Sequence, residues 1–192
     1  MTIQLLNICK AVSGKEILKD INWEISEDDC FLLEGPAGSG KTLILRLILG
    51  LETPDSGSVN LLGDYKYPSV NAGVVFQEDR LCEQFSAVEN VAMVNKRLSE
   101  RVAGEELAKF LPADRLTVPV SALNAVERRL VTVVRASIVP SDILLLDDAL
   151  RGMDDALKTR VIDYIRDRAG HKGIVFAQRD DACLQFCRRF SL

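Results

Sequence analysis

The run Gly35-Pro36-Ala37-Gly38-Ser39-Gly40-Lys41-Thr42 satisfies the pattern G-x-x-x-x-G-K-[ST]. Its surroundings suit that pattern. Phe31-Leu32-Leu33 is an apolar run that stops at the glycines, as a buried strand would. From Thr42 to Leu49 the spacing of Leu43, Leu45, Leu47 and Ile48 suits a helix, and Gly50 suits its C-terminal end. Each residue type has a chemical task. Glycines let the backbone turn tightly, so that its N–H groups can point at phosphate oxygens. The start of the helix adds partial positive charge. Lys41 supplies a full charge to the β- and γ-phosphates, and the Thr42 hydroxyl is a magnesium ligand. ATP and Mg2+ are therefore the expected ligands.

A second acidic element lies about a hundred residues on, within the reach of one domain. Leu144-Leu145-Leu146-Asp147-Asp148 is a wholly apolar strand ending in two carboxylates. Asp147 would hold magnesium, and Asp148 stands where a general base would polarise an attacking water.

Residues 2–34 are β-rich: Ile3, Leu5 and Ile8, then Ile17, Leu18, Ile21, Trp23 and Ile25 after a turn at Ser13-Gly14-Lys15. Further strands are expected at Ser58–Leu62, Ala72–Phe76, Ile143–Leu146 and Gly173–Phe176. Helices are expected at Ala87–Leu98, Glu105–Leu111, Ala125–Ile138 and Asp155–Arg168, with a last short helix after Phe176. Alternating strands and helices imply an α/β fold with a mainly parallel sheet. Ligands of such sheets sit beyond the carboxyl ends of the strands, where both motifs fall.

Composition is that of an ordinary globular chain: 47% hydrophobic and 27% charged. The formal net charge of −4 creates no basic field for nucleic acid. No apolar run approaches the roughly 18 residues of a membrane span, and Met-Thr-Ile-Gln lacks the basic and apolar regions expected of a signal peptide. A cytoplasmic location is expected, with membrane association supplied by a partner. The cysteines Cys9, Cys30, Cys82, Cys183 and Cys187 are odd in number and fit no zinc spacing, so reduced thiols are expected. Cys183 and Cys187, four apart, are expected as buried thiols on a helix face rather than as a metal grip.

With the two motifs placed, the chain resembles an ATP-binding cassette (ABC) ATPase from end to end. Val74-Val75-Phe76-Gln77-Glu78-Asp79-Arg80-Leu81 looks like the family's Q-loop, which makes Gln77 the glutamine that approaches magnesium and the attacking water. Phe76–Arg80 and Ala87-Val88-Glu89-Asn90-Val91 look most like importers of the nitrate, sulfonate and taurine type. Asp154 fits the D-loop aspartate at the dimer interface. Other positions depart from the family. Anchored on Arg135-Ala136, the place of the Leu-Ser-Gly-Gly signature is taken by Leu123-Asn124-Ala125-Val126. Ala125 and Val126 put side chains where the resemblance calls for backbone close to phosphate. Asp148 replaces the usual catalytic glutamate, Arg179 stands at the switch histidine, and Val12 at the adenine-stacking aromatic. Arginine can neutralise a γ-phosphate but cannot relay a proton near neutral pH.

The resemblance implies a P-loop NTPase core, an antiparallel β subdomain and a small helical insertion over about 78–138, forming a single ABC ATPase domain over 1–192. It implies an ATP-binding and ATP-hydrolysing importer subunit on the inner face of the cell membrane. Partners would be an integral-membrane permease, docking around Glu78–Phe85, and a second ABC ATPase subunit. Slow hydrolysis is expected from Asp148 and Arg179. The readings left open are a catalytically weak partner of a competent cassette and a non-transport regulator. From the short stretch after Arg179, no C-terminal sensing domain is expected.

Overall fold

In the computed structural model, which describes residues 1–63, 69–178 and 182–192, alternating β-structure opens the chain. β1 (Thr2–Val12) and β2 (Lys15–Ser26) form an antiparallel hairpin. Its two-residue turn, Ser13-Gly14, has φ of 52° and 79°, the doubly positive geometry that matches the twist of paired strands. Ile3 and Leu5 point inward, and a register shift between Leu5 and Ile8, with Asn7 at φ 48°, returns Ile8 to the same buried face. β4 (Ser56–Leu62) pairs on the other side of β1, giving the order β2-β1-β4.

β3 (Cys30–Glu34) belongs to a parallel sheet whose neighbouring strands run β6-β7-β3-β8. Its other members are β6 (Ile143–Asp147), β7 (Gly173–Ala177) and β8 (Arg188–Ser191). Every residue of β6 and β7 is buried, as parallel strands covered on both faces require. Helix α1 (Lys41–Ile48) buries Ile44, Leu45, Leu47 and Ile48. These elements, residues 1–72, 141–147 and 169–192, form one compact unit.

Residues 73–140 and 148–168 form a second compact unit. It holds most of β5 (Ala72–Val75), then α2 (Ala87–Ala92), α3 (Glu100–Leu107), α4 (Ala113–Leu116), α5 (Ala125–Ile138) and α6 (Asp155–Ala169). Capping boxes start α2 at Ser86 with Glu89, and α5 at Asn124 with Glu127. The α5 boundaries agree with those expected. Two other helices differ. The helix from Ala87 ends at Ala92 rather than Leu98, and α3 begins at Glu100 rather than Glu105. Ser99 explains the second shift, because its hydroxyl accepts from Val102 N and so caps α3 five residues early.

The end of the chain corrects another expectation. Among the described residues no helix follows β7, and the last element is strand β8. β8 satisfies the free edge of β3. Phe190 stacks on Trp23 with centroids 4.4 Å apart, while Arg188 pairs with Asp29 and Arg189 with Glu34. Cys187 is buried just before this strand with its Sγ 2.7 Å from that of Cys30, so Cys183 and Cys187 do not share a helix face. No helix among the described residues is long and apolar enough to cross a membrane.

Candidate nucleotide site

The glycine loop connects the C-terminal end of β3 to the N-terminus of α1. Two of its glycines are dictated by space as well as by backbone. Gly35 sits at φ 150°, and a β-carbon there would lie 2.4 Å from Ser39 Oγ. Gly40 sits at φ 100°, and a β-carbon there would lie 2.7 Å from Leu18 Cδ2. A side chain at either position would strain the backbone and displace its neighbour, Ser39 or Leu18. Gly40 is also the N-cap of α1. It gives no side-chain cap, and the first turn holds no acidic residue. Helices α2 and α5 have both. The positive end of α1 is thus left for an anion.

Pro36, Ala37 and Gly38 are exposed at the tip, and Ser39 N closes a tight turn on Pro36 O at 3.2 Å. Lys41 Nζ donates to Gly35 O at 2.5 Å and to Pro36 O at 3.0 Å, so its ammonium lies over the loop that begins the motif. Thr42 Oγ1 donates to Asp147 Oδ2 at 2.6 Å. Asp147 is 5% exposed, so its carboxylate needs such partners. It comes to this place because β6 runs parallel to β7, with Asp147 opposite Ala177 at the carboxyl end of the sheet. The donor set fits ATP with magnesium: one hydroxyl and one carboxylate oxygen side by side, near a lysine and an uncapped helix start. Thr42 and Asp147 are the residues that would hold a magnesium ion, which would supply charge neutralisation to the phosphates.

Gln77 and Asp148 belong to the second unit. Gln77 is exposed, in a segment without regular structure that follows β5. Asp148 has φ 54°, a left-handed conformation that aspartate tolerates better than most residues. Its carboxylate lies 3.9 Å from Arg151 Nη1. Asp154 Oδ1 accepts from Leu157 N at 2.8 Å and so caps α6. At the start of α5, Asn124 Oδ1 accepts from Glu127 N and Glu127 Oε2 accepts from Asn124 N. Val126 lies against Gly152, 3.5 Å from where a β-carbon would stand. Arg179 lies outside the described residues. Val12 is half exposed at the end of β1.

Three residues of the second unit make contacts that sequence reasoning did not anticipate. Asn90 is fully buried and holds the turn before α2, accepting from Cys82 N and donating to the carbonyls of Cys82, Phe85 and Ser86. Arg129 and Arg135 on α5 reach back to the carbonyls of residues 76–80. The spacing of a helix shows which face an arginine occupies, but not that the face is buried against loop carbonyls.

The family model described as ABC transporter matches residues 18–151. The spermidine/putrescine import ATP-binding protein PotA of Fusobacterium nucleatum is 31% identical over 99% of this chain and 54% of its own length. The Nod factor export ATP-binding protein I of Cupriavidus metallidurans is 34% identical over 79% of this chain and 54% of its own. The chain thus spans about half the length of the curated relatives it matches. Among solved structures, the ATP-binding cassette MJ0796, in a dimeric post-hydrolysis state bound to ADP and Pi, superposes with a TM-score of 0.87. That alignment covers 99% of this chain and 94% of the other, at 22% identity, which bears on the fold.

Proposed function

Because this chain belongs to the ABC transporter family, we propose that it binds Mg2+ and ATP through Gly35–Thr42 and Asp147 and hydrolyses ATP slowly to drive transport. The observation that carries this reading is the bond from Thr42 to Asp147 beneath an uncapped helix N-terminus. Lys41 would neutralise the phosphates, Thr42 and Asp147 would hold the metal, Gln77 would approach metal and water, and Asp148 would polarise the water. Asp148 is one methylene shorter than glutamate, and a misplacement of about 1 Å costs on the order of a hundredfold in rate. Arg179 would offer charge to the γ-phosphate without relaying a proton.

The direction we propose is import, on the wording of Phe76–Arg80 and Ala87–Val91. The partners are an integral-membrane permease and a second cassette, which place this chain peripherally on the cytoplasmic face of the membrane. Support for the permease comes from an open cavity of about 630 Å³ in the second unit, lined by Phe85, Met93 and Leu98 with Glu89 and Glu100. Phe85 and Met93 are large apolar side chains left exposed beside it.

A second reading, as the weak partner of a competent cassette, is favoured by the start of α5. Its capping box turns the Glu127 carboxylate onto the helix N-terminus, the place where a partner's phosphate would have to come. Titration calorimetry of Mg·ATP against the wild type and Lys41→Ala tests the first reading. Binding by the wild type and none by the variant is expected, and equal affinities would refute it. Turnover by wild type already within the ~1–10³ s⁻¹ typical of enzymes would remove the case for slow hydrolysis.

A further inference from the structure

Arg129 is 1% exposed and is the largest fully buried side chain in the described residues. A guanidinium that deep is costly unless its N–H groups find acceptors and its charge finds a partner. Here it finds both in one place. Nη1 donates to Phe76 O at 2.6 Å, Nη2 donates to Gln77 O at 2.7 Å, and Nη2 lies 3.2 Å from Asp79 Oδ1. The two carbonyls belong to adjacent residues of an irregular segment, so no strand ladder satisfies them. The planar fork of one guanidinium takes both, one through each terminal nitrogen.

The same helix reinforces the grip. Arg135 donates to Arg80 O and to Asp79 O, at 3.1 and 3.2 Å. Arg128 forks onto Glu83, which it holds below the usual carboxylate range through that hydrogen bond. Four of the carbonyls between residues 76 and 80 thus rest on α5. Arg129 is one turn from the Asn124 cap, so the start of α5 and the Gln77 backbone are joined by one short, charged, buried link.

We propose that Arg129 is the positioning residue for Gln77: it fixes the Gln77 main chain to α5 and makes the reach of the Gln77 side chain depend on the position of that helix. The inference rests on the role proposed for Gln77 at the metal, and adds that whatever engages residues 124–127 is felt at Gln77 through this side chain. Lysine in its place keeps the charge and loses the fork.

The test uses two readouts on the full chain. In uniformly ¹³C,¹⁵N-labelled protein, Arg129→Lys should move the carbonyl ¹³C resonances of Phe76 and Gln77 toward those of unbonded carbonyls and leave that of Arg80 in place. Arg135→Lys should do the reverse. Mn2+ affinity in the presence of ATP, read from the free-ion electron spin resonance signal, should weaken about tenfold or more in Arg129→Lys, the range of supporting residues at metal sites. Gln77→Ala should weaken it by a similar factor, and the double variant should be no weaker than Gln77→Ala alone. Additive losses would show that Arg129 acts on the fold at large, and would overturn the proposal. So would Phe76 and Gln77 resonances that ignore Arg129→Lys. Should Arg129→Lys not fold, Arg129→Met, which keeps the length of the side chain and removes every donor, replaces it with the same expectations. A wild type that binds no Mn·ATP would sink the function proposed above, while the carbonyl resonances would still decide whether the clamp exists.

Discussion

Thr42→Val removes one oxygen and keeps the shape of the side chain. Both residues are β-branched with nearly equal helix propensity, so the first turn of α1 should be indifferent to the change. What is lost is the hydroxyl that donates to Asp147 Oδ2 at 2.6 Å, next to a carboxylate that is 5% exposed. A hydrogen bond to a buried charge contributes about 1.5–3 kcal/mol. For a domain of this size each kcal/mol moves Tm by about 2–4 °C, so the ligand-free variant should melt roughly 3–12 °C lower. The functional consequence is separable. In the wild type, Mg2+ added to the ATP-bound protein at about a hundred times its Kd should raise stability by about 2.7 kcal/mol. In Thr42→Val that increment should fall by at least half, while the increment from ATP in chelator stays near the wild-type value. Differential scanning fluorimetry with ATP, with ATP and EDTA, and with ATP and Mg2+ reads all three quantities. An unchanged Mg2+ increment would refute the assignment of Thr42 as a ligand. An unchanged Tm without ligand would refute the energetic weight given to its bond with Asp147.

Gly40→Ala forces a β-carbon into the left-handed region against Leu18, a strain on the order of 1–3 kcal/mol, and should lower Tm and Mg·ATP affinity together; calorimetry showing wild-type affinity would contradict the close approach seen there. His171, the only histidine, hydrogen-bonds Asp28, and that bond holds its pKa above the usual 6.5. The folded state therefore favours the protonated ring, so its contribution is complete below the ordinary value and fades as pH rises through the raised one. The single imidazole resonance should titrate above 6.5 and return there in Asp28→Asn, and a midpoint unaffected by that change would dismiss the pairing. Asn124→Ser with Ala125→Gly and Val126→Gly, in an Asp148→Asn background, should increase the dimer fraction in Mg·ATP by light scattering. A stable dimer of the Asp148→Asn chain without these changes would show that Leu123–Glu127 is not a failed phosphate-binding turn.

The sequence by itself determined whatever depends on neighbours a few residues apart. The strand, glycine loop and helix around Gly35–Thr42 are such a case, because φ values, helix spacing and the end of an apolar run are local properties. So are the Ser13-Gly14 hairpin turn and the start of α5 at Asn124, where side chain and backbone close a ring within four residues. The tertiary structure decided what depends on distant partners. Thr42 meets Asp147 across 105 positions because β6 and the strand feeding the loop lie in one sheet. β8 replaces an expected helix because β3 offers a free edge, and edge pairing overrides a weak local preference. Arg128 and Arg129 are adjacent and chemically identical, yet their side chains are 23% and 1% exposed. Helical spacing puts them 100° apart, but only the carbonyls of Phe76 and Gln77, brought up from fifty residues away, make one of those directions a place where a charge can be buried.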